Sequence, residues 1–255
     1  MFLLPYSNAR QREAYRERRT SPAPSMMHAI HRVFVADGVY VITLLVFLVF
    51  MLVTARPHFI HRWGYEFIWL NLFLAGVPYG ISLCADVLFR SIPQRGRRIQ
   101  FRGLLLLPLF ALWLLFLPNA PYVLTDFIHL RHETSRQVLY DTVMLGTYTV
   151  TGYAFAGIAL AIMQRQVRAR CGKGVSRVFV IACCFLAGIG VQLGRTEHYN
   201  SWDAFSQAKV ILGTILDRLV HLYSHPYTLL DGLYYGALML AAYGAFLALG
   251  SKEMR

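Results

Sequence analysis

The sequence predicts an all-α fold, a polytopic transmembrane helix bundle, and three observations favour it. Of the 255 residues, 56% are hydrophobic and only 15% are charged, whereas soluble domains are about 25% charged. The apolar residues come in long runs, and a run of about 18 or more with few charges is typical of a membrane span. Aromatic residues make up 14% of the chain, which excludes the aromatic-poor composition of disordered proteins. An ordinary soluble enzyme is therefore not expected.

Six apolar runs are long enough to cross a bilayer, since a spanning helix needs about 20 residues. They cover residues 33–54, 65–89, 101–117, 138–163, 178–193 and 227–249. The first is expected to end at Arg56-Pro57-His58, because proline has no N–H to donate to a continuing helix. Residues 33–255 are thus expected to form a single integral membrane domain. Residues 1–32 are polar and basic, and we expect them to form a disordered cytoplasmic tail.

Basic residues alternate between consecutive connecting segments. The N-terminal tail, residues 90–102 and residues 165–177 are rich in arginine, whereas the loops between them hold few cations. Because cytoplasmic loops collect Lys and Arg, this alternation predicts that both termini are cytoplasmic and that the first, third and fifth loops are outside. It also accounts for the net charge of +12. The lipid bilayer is therefore the expected partner, and nucleic acid is not.

Residues 203–223, between the fifth and sixth spans, have the pattern of an amphipathic helix. Their apolar residues recur at helical spacing, namely Phe205, Ala208, Leu212, Ile215, Leu219 and Leu222. The charged residues of the segment fall largely off that stripe. Such a helix is expected to lie at the outer membrane interface or over the bundle.

The third loop, predicted to be outside, holds the first group of candidate site residues. Pro118 and Pro121 must stop the third helix, and a short helix after them would put Asp126, His129 and Glu133 on one face. Two carboxylates beside an imidazole can bind a divalent metal or transfer protons. The alternative is a loop whose polar groups cap helices and meet water. Asp126 and His129 are the candidate catalytic residues, and the candidate ligand-binding residues of this loop are Asn119, Tyr122 and Thr125.

The fifth loop holds the second group. Asn200 or Ser201 is expected to cap the amphipathic helix, with Asp203 in its first turn. Arg195 can pair with Asp126 or Asp203, or bind an anionic ligand group through two hydrogen bonds. Asp203 is a candidate catalytic residue, and Arg195, Asn200 and Trp202 are candidates for ligand binding. A purely structural role for this loop is the alternative.

Several acids lie within or near the predicted spans. Asp86 has a simple partner in Arg90, four residues along the same helix. Asp141 and Asp231 lie about one turn inside the outer ends of their spans, where an ionisable group is costly and usually paired or functional.

The stretch from Leu117 to Leu130, together with Gly194-Arg195 and Asn200-Ser201-Trp202-Asp203, resembles the bacterial membrane-protein family of domain of unknown function 1361. The resemblance extends over most of the chain from the first span to the sixth. It implies an integral bacterial membrane protein, and it supplies no activity, substrate or cofactor. With the six predicted spans and the charge pattern, the expected location is the inner membrane.

Three classes of function remain open. A membrane enzyme acting on a lipid-linked or envelope substrate would use Asp126, His129, Asp203 and Arg195 at the outer face. A small-solute transporter would use Asp141 and Asp231 as gating or proton-coupled acids. An accessory or scaffold protein would bind a protein partner through the outer loops and the amphipathic helix. The metal, the cofactor and the oligomeric state are left unassigned by the sequence.

Overall fold

The computed structural model describes residues 38–60, 64–91, 98–132, 135–221 and 223–252. Within these ranges the chain is helical and contains no strand, which confirms the all-α prediction. The helices are α1 (Gly38–Ile60), α2 (Phe67–Ser91), α3 (Arg98–Phe116), α4 (Asn119–Tyr122), a 3₁₀ helix (Val123–His132), α5 (Ser135–Thr196), α6 (Asp203–Ser206), α7 (Ala208–Val220) and α8 (Pro226–Lys252). The predicted tail at residues 1–32 lies outside the described residues.

Five helical segments of the described chain are long and apolar enough to cross a membrane. They are Gly38–Ile60, Phe67–Ser91, Leu106–Arg131, Gln137–Thr196 and Pro226–Ala248. The chain is therefore a multi-pass integral membrane protein, and the lipid bilayer is its environment.

The longest of these helices, α5, is a hairpin of two antiparallel arms. As a straight helix its 62 residues would extend about 90 Å, roughly three times the hydrocarbon thickness of a bilayer. Gly172 interrupts it with φ 83° and ψ 178°, a backbone conformation that favours glycine. Across the turn, the Gln164 amide donates to the Ser176 carbonyl at 3.3 Å, which only a reversal of the chain allows. The arms, residues 135–171 and 173–196, contain the predicted fourth and fifth spans.

The expected end of the first span is wrong, because α1 continues through Pro57 to Ile60. Membrane helices tolerate an internal proline where neighbouring helices supply partners for the backbone. The carbonyl that loses its helical donor at Pro57 is that of Val53. Next to it, the Tyr140 hydroxyl of α5 donates to the Leu52 carbonyl at 2.6 Å and fastens this turn of α1 to α5. The continued helix keeps Arg56 facing α5, where it pairs with Asp141.

Glycines bring the second arm of α5 and α8 into backbone contact. A Cβ on Gly188 would lie 2.3 Å from the Gly232 carbonyl oxygen and 2.8 Å from the Gly236 amide nitrogen. Small residues permit such close approach between membrane helices, where dispersion contacts replace the hydrophobic effect as a driving force. The α5 hairpin also packs against α1, α2 and α4, so it forms the centre of the bundle.

The two ends of the bundle differ in charge. At the end of α2 and at the α5 turn, the described cations are Arg90, Arg165, Arg168, Arg170, Lys173 and Arg177. Asp86 is the described acid of this region; it pairs with Arg90 at 2.9 Å, as predicted, and also with Arg165. We call this the basic end, and we call the opposite end, which carries the 3₁₀ helix, α6 and α7, the loop end.

The predicted amphipathic helix at 203–223 differs from the structure in two respects. It is broken at Gln207, whose φ of −126° separates α6 from α7. One of its charged residues, Arg218, also turns toward the bundle. Arg218 donates to Gln192 at 3.1 Å and to Thr228 at 3.3 Å, and it pairs with Glu197.

The opposite face of α7 carries exposed apolar side chains. Leu212, Leu216 and Val220 are 59%, 60% and 72% exposed. Since Arg218 on the other side of α7 contacts α5 and α8, this apolar face is directed away from the bundle.

Candidate functional site

The site begins where α3 stops inside the bundle. Pro118 follows α3 and packs so tightly on α5 that a Cβ on Gly190 would lie 2.4 Å from its ring. Farther along, the Ala120 carbonyl and the Val123 side chain close on Gly152 of the other arm. Backbone that is not α-helical is tolerated at membrane depth where it is buried in protein or lines a cavity. In this segment Leu117, Val123 and Asp126 are buried.

A cavity of about 270 Å³ lies between this segment, α2 and the second arm of α5. Its lining is predominantly polar at the loop end and apolar beneath. The lining residues are Phe67, Asn71, Leu74, Pro118, Asn119, Tyr122, Asp126, His129, Gly190, Gly194, Tyr199, Asn200 and Ser201. Clefts between the helices of a bundle in which several polar groups converge are frequent ligand sites.

Asp126 is the buried charged group of this cavity, with only 6% of its surface exposed. Its Oδ2 accepts a hydrogen bond from the Tyr148 hydroxyl at 3.0 Å and one from the Asn71 amide at 3.4 Å. Both bonds end on the same oxygen. His129 and Arg195 lie close enough to interact electrostatically with the carboxylate.

The helix that carries Asp126 and His129 is a 3₁₀ helix. With three residues per turn, it stacks positions i and i+3 directly above each other, so both side chains still reach the same cavity. The His129 ring packs against Phe67 at 4.8 Å and Tyr65 at 6.0 Å between ring centroids. These aromatic contacts fix the position of the imidazole at the mouth.

The proposed third member of this group, Glu133, lies outside the described residues. In the part of the chain that the structure describes, no three His, Cys, Asp or Glu side chains come together as a metal-binding group.

The polar rim of the cavity connects α3 to the loop after α5. The Asn119 amide donates to the Phe116 carbonyl and to the Ser201 hydroxyl, each at 2.8 Å. Ser201 in turn donates to the Leu115 carbonyl at 3.1 Å. These bonds satisfy backbone carbonyls that the end of α3 leaves without helical partners.

The expected cap of the amphipathic helix is wrong, because neither Asn200 nor Ser201 caps it; Trp202 occupies the cap position without a side-chain hydrogen bond. Instead, the Asp203 carboxylate accepts from the Asn200 backbone N–H at 2.7 Å. Asp203 therefore closes the loop on itself and does not line the cavity.

The structure brings together five of the nine candidate residues at the cavity, namely Asn119, Tyr122, Asp126, His129 and Asn200. Thr125 is buried beside the Tyr122 hydroxyl. Arg195 is exposed and lies beside Tyr235, near Tyr122 and Asp126. Trp202 is 41% exposed and outside the cavity lining.

Two residues that hold Asp126 were not among the candidates. Asn71 is an amide within an apolar span, and that polarity is a signal that could have identified it. Tyr148 lies in another apolar span, where a tyrosine is not distinguished from ordinary core residues. Ser201 was predicted only as a helix cap, whereas the structure places it in the cavity lining.

Asp141, a candidate gating acid, is instead paired in a separate buried cluster. Its two oxygens accept from the Arg56 Nε at 2.7 Å and Nη2 at 2.9 Å. The guanidinium also lies 4.6 Å from the centroid of the Tyr65 ring. This pair joins α1 to α5.

The model of a family described as "Protein of unknown function (DUF1361)" matches residues 70–242, more than half of the chain. The matched range contains Asn71, Tyr148 and all nine candidate residues. Neither the curated proteins nor the solved structures gave a match. The chain therefore belongs to the DUF1361 family of proteins of unknown function.

Proposed function

We propose that this protein binds the polar part of a lipid-linked or envelope molecule in the cavity beside Asp126. The observation that carries the proposal is the buried carboxylate itself. An ionisable group inside a membrane bundle is costly to keep and is commonly part of a functional site. Two donors, Tyr148 and Asn71, hold its Oδ2, so its Oδ1 is the atom proposed to receive a ligand donor.

The charges around the cavity define the chemistry of the ligand. Asp126, deep in the cavity, would bind a hydroxyl or ammonium group of the ligand. Arg195, near the mouth, would bind a phosphate or carboxylate group. Asn119, Asn200 and Ser201 supply neutral donors and acceptors on the rim. A headgroup with a phosphate next to a hydroxyl or amine satisfies all of these groups, and its lipid tail would remain in the bilayer.

Acid–base chemistry on the bound molecule is part of the proposal. Asp126 and His129 line the same cavity, and both side-chain types transfer protons in enzymes. His129 is exposed at the mouth, where it can exchange protons with water. Asp203 is not included, since its carboxylate is used by Asn200.

The proposed location is the bacterial inner membrane, with the cavity facing outward and both termini in the cytoplasm. Support comes from the arginine-rich basic end, because positively charged segments remain cytoplasmic. The loop end, and with it the cavity, then faces the periplasmic side.

An accessory role is the second candidate, favoured by the exposed apolar face of α7. Leu212, Leu216 and Val220 would contact a protein partner or the membrane surface. The transporter alternative has less support, since the Arg56 partner of Asp141 occupies that carboxylate.

We expect the Asp126→Asn variant to lose the bound molecule. Wild-type and variant proteins would be purified in mild detergent, and mass spectrometry would quantify the lipid-linked molecules that each retains. Loss of a hydrogen bond to a charged group is worth about 1.5–3 kcal/mol, so retention should fall at least about tenfold. Equal retention of every species by the variant would contradict the proposal.

Asp217→Asn is the matched control, since it removes an exposed carboxylate of α7 whose partners are His221 and His225. It should retain the same molecules as the wild type. If Asp126→Asn proves unstable in a thermal melt, His129→Ala tests the same cavity from its exposed mouth. The proposal would also be contradicted if folded His129→Ala and Asn119→Ala proteins both retained the lipid-linked molecules at the wild-type level.

A further inference from the structure

A second cavity, of about 250 Å³, lies at the basic end between α2, α3 and the first arm of α5. Most of its lining is apolar, and the polar side chains are concentrated at the end near the α5 turn. The lining residues are Ala85, Leu106, Leu107, Phe110, Met163, Gln166, Val167, Arg170 and Cys171. From Met163 to Arg170 the helix rises about 10 Å, so the cavity runs from the helix end into the apolar zone.

Gln166 marks the polar part of this cavity. The residue is only 6% exposed, and its amide nitrogen has no hydrogen-bond partner among the described residues. A buried donor without an acceptor destabilises the fold, because it has lost its hydrogen bonds to water. A ligand oxygen at this position would remove that cost.

Arg170 supplies a positive charge at the open end of the cavity. Its guanidinium lies 4.7 Å from the centroid of the Phe89 ring, which holds the charge beside the groove. Asp86, the acid described in this region, is already shared by Arg90 and Arg165. The charge balance of this end therefore favours an anionic ligand.

We infer that this cavity is a binding site for a phospholipid with an anionic headgroup. The first carbons of an acyl chain contact Leu107, Phe110 and Val167 in the groove. The phosphate lies at Arg170, and an ester or phosphate oxygen accepts from the Gln166 amide. This site lies at the opposite end from the Asp126 cavity and does not depend on the function proposed there.

The test measures lipid binding to the full-length protein in detergent. The thermal midpoint is titrated with phosphatidylglycerol and with phosphatidylcholine of the same acyl chains. A cation near an anionic headgroup is worth about 1 kcal/mol, or roughly fivefold in affinity. We expect the wild type to bind phosphatidylglycerol at least about fivefold more tightly, and Arg170→Gln to abolish most of that preference. Equal affinity of the wild type for both lipids would overturn the inference.

Two further variants distinguish binding in this cavity from general attraction by the positive surface. Lys173→Gln removes an exposed cation that does not line the cavity and should keep the preference. Leu107→Trp places a larger side chain in the groove and should lower the affinity for both lipids several-fold. If Lys173→Gln loses as much of the preference for phosphatidylglycerol as Arg170→Gln does, the lipid is attracted by the general surface charge and the proposed site is refuted. Stabilisation by inorganic phosphate alone, equal to that by the lipid, would refute the lipid as ligand.

Discussion

Replacing Arg56 with leucine should destabilise the bundle by about 3–5 kcal/mol, because it leaves the Asp141 charge buried without its partner. The two side chains are 3% and 0% exposed and form two hydrogen bonds of 2.7 and 2.9 Å. Solvent screening, which weakens surface ion pairs, is absent at such burial. The measurement is the thermal unfolding midpoint in detergent, compared with the wild type.

The double variant Arg56→Leu/Asp141→Leu separates the cost of an unpaired charge from the loss of packing. Replacing both members of a buried pair with apolar residues is often close to neutral, so the double variant should recover most of the lost stability. If the double variant is as unstable as Arg56→Leu alone, the ion pair is not the origin of the effect.

Gly188→Ala should separate α5 from α8 and strongly destabilise the protein. The new Cβ would lie 2.3 Å from the Gly232 carbonyl oxygen, and a backbone atom in a packed helix cannot rotate away as a side chain can. Overpacking of this kind costs about 1–3 kcal/mol and sometimes more. We expect a lower thermal midpoint and a smaller yield of monodisperse protein.

Gly146→Ala is the matched control, because it lies on the same helix and no atom outside its own stretch of helix backbone lies within 4 Å of its Cβ position. There the substitution should be neutral or stabilising, since alanine favours a helix over glycine by about 1 kcal/mol. A Gly188→Ala protein as stable as Gly146→Ala would contradict the close contact between the two helices.

The spans were predictable because their signal is local. A run of apolar residues long enough to cross a bilayer is visible in the sequence, and so is the surplus of arginine in alternate segments. The path of α1 through Pro57 was not predictable in this way, since the contacts of this turn are made with a helix distant in sequence. The sequence predicted a loop between the fourth and fifth spans. In the structure, a single glycine with positive φ, Gly172, reverses the chain and the helix continues on both sides of it.

The site was predictable only in part, for a related reason. The two prolines and the polar residues after them identified Asp126, His129, Asn119 and Tyr122 within one short segment. The residues that hold Asp126 come from other helices, and no local pattern links Asn71 or Tyr148 to it. Asp203 and Trp202 have the chemistry of site residues, yet the tertiary structure directs them away from the cavity.

The central claim is that the polar cavity beside Asp126 opens to the outside of the cell. Two single-cysteine proteins test it, one with Asn200→Cys at the cavity and one retaining the exposed native Cys171 at the basic end; all other cysteines are replaced by serine. Intact cells are treated with a membrane-impermeant thiol reagent. We predict labelling of the Asn200→Cys protein and none of Cys171 until the membrane is permeabilised. Labelling of Cys171 alone in intact cells would invert the orientation and place the cavity on the cytoplasmic side.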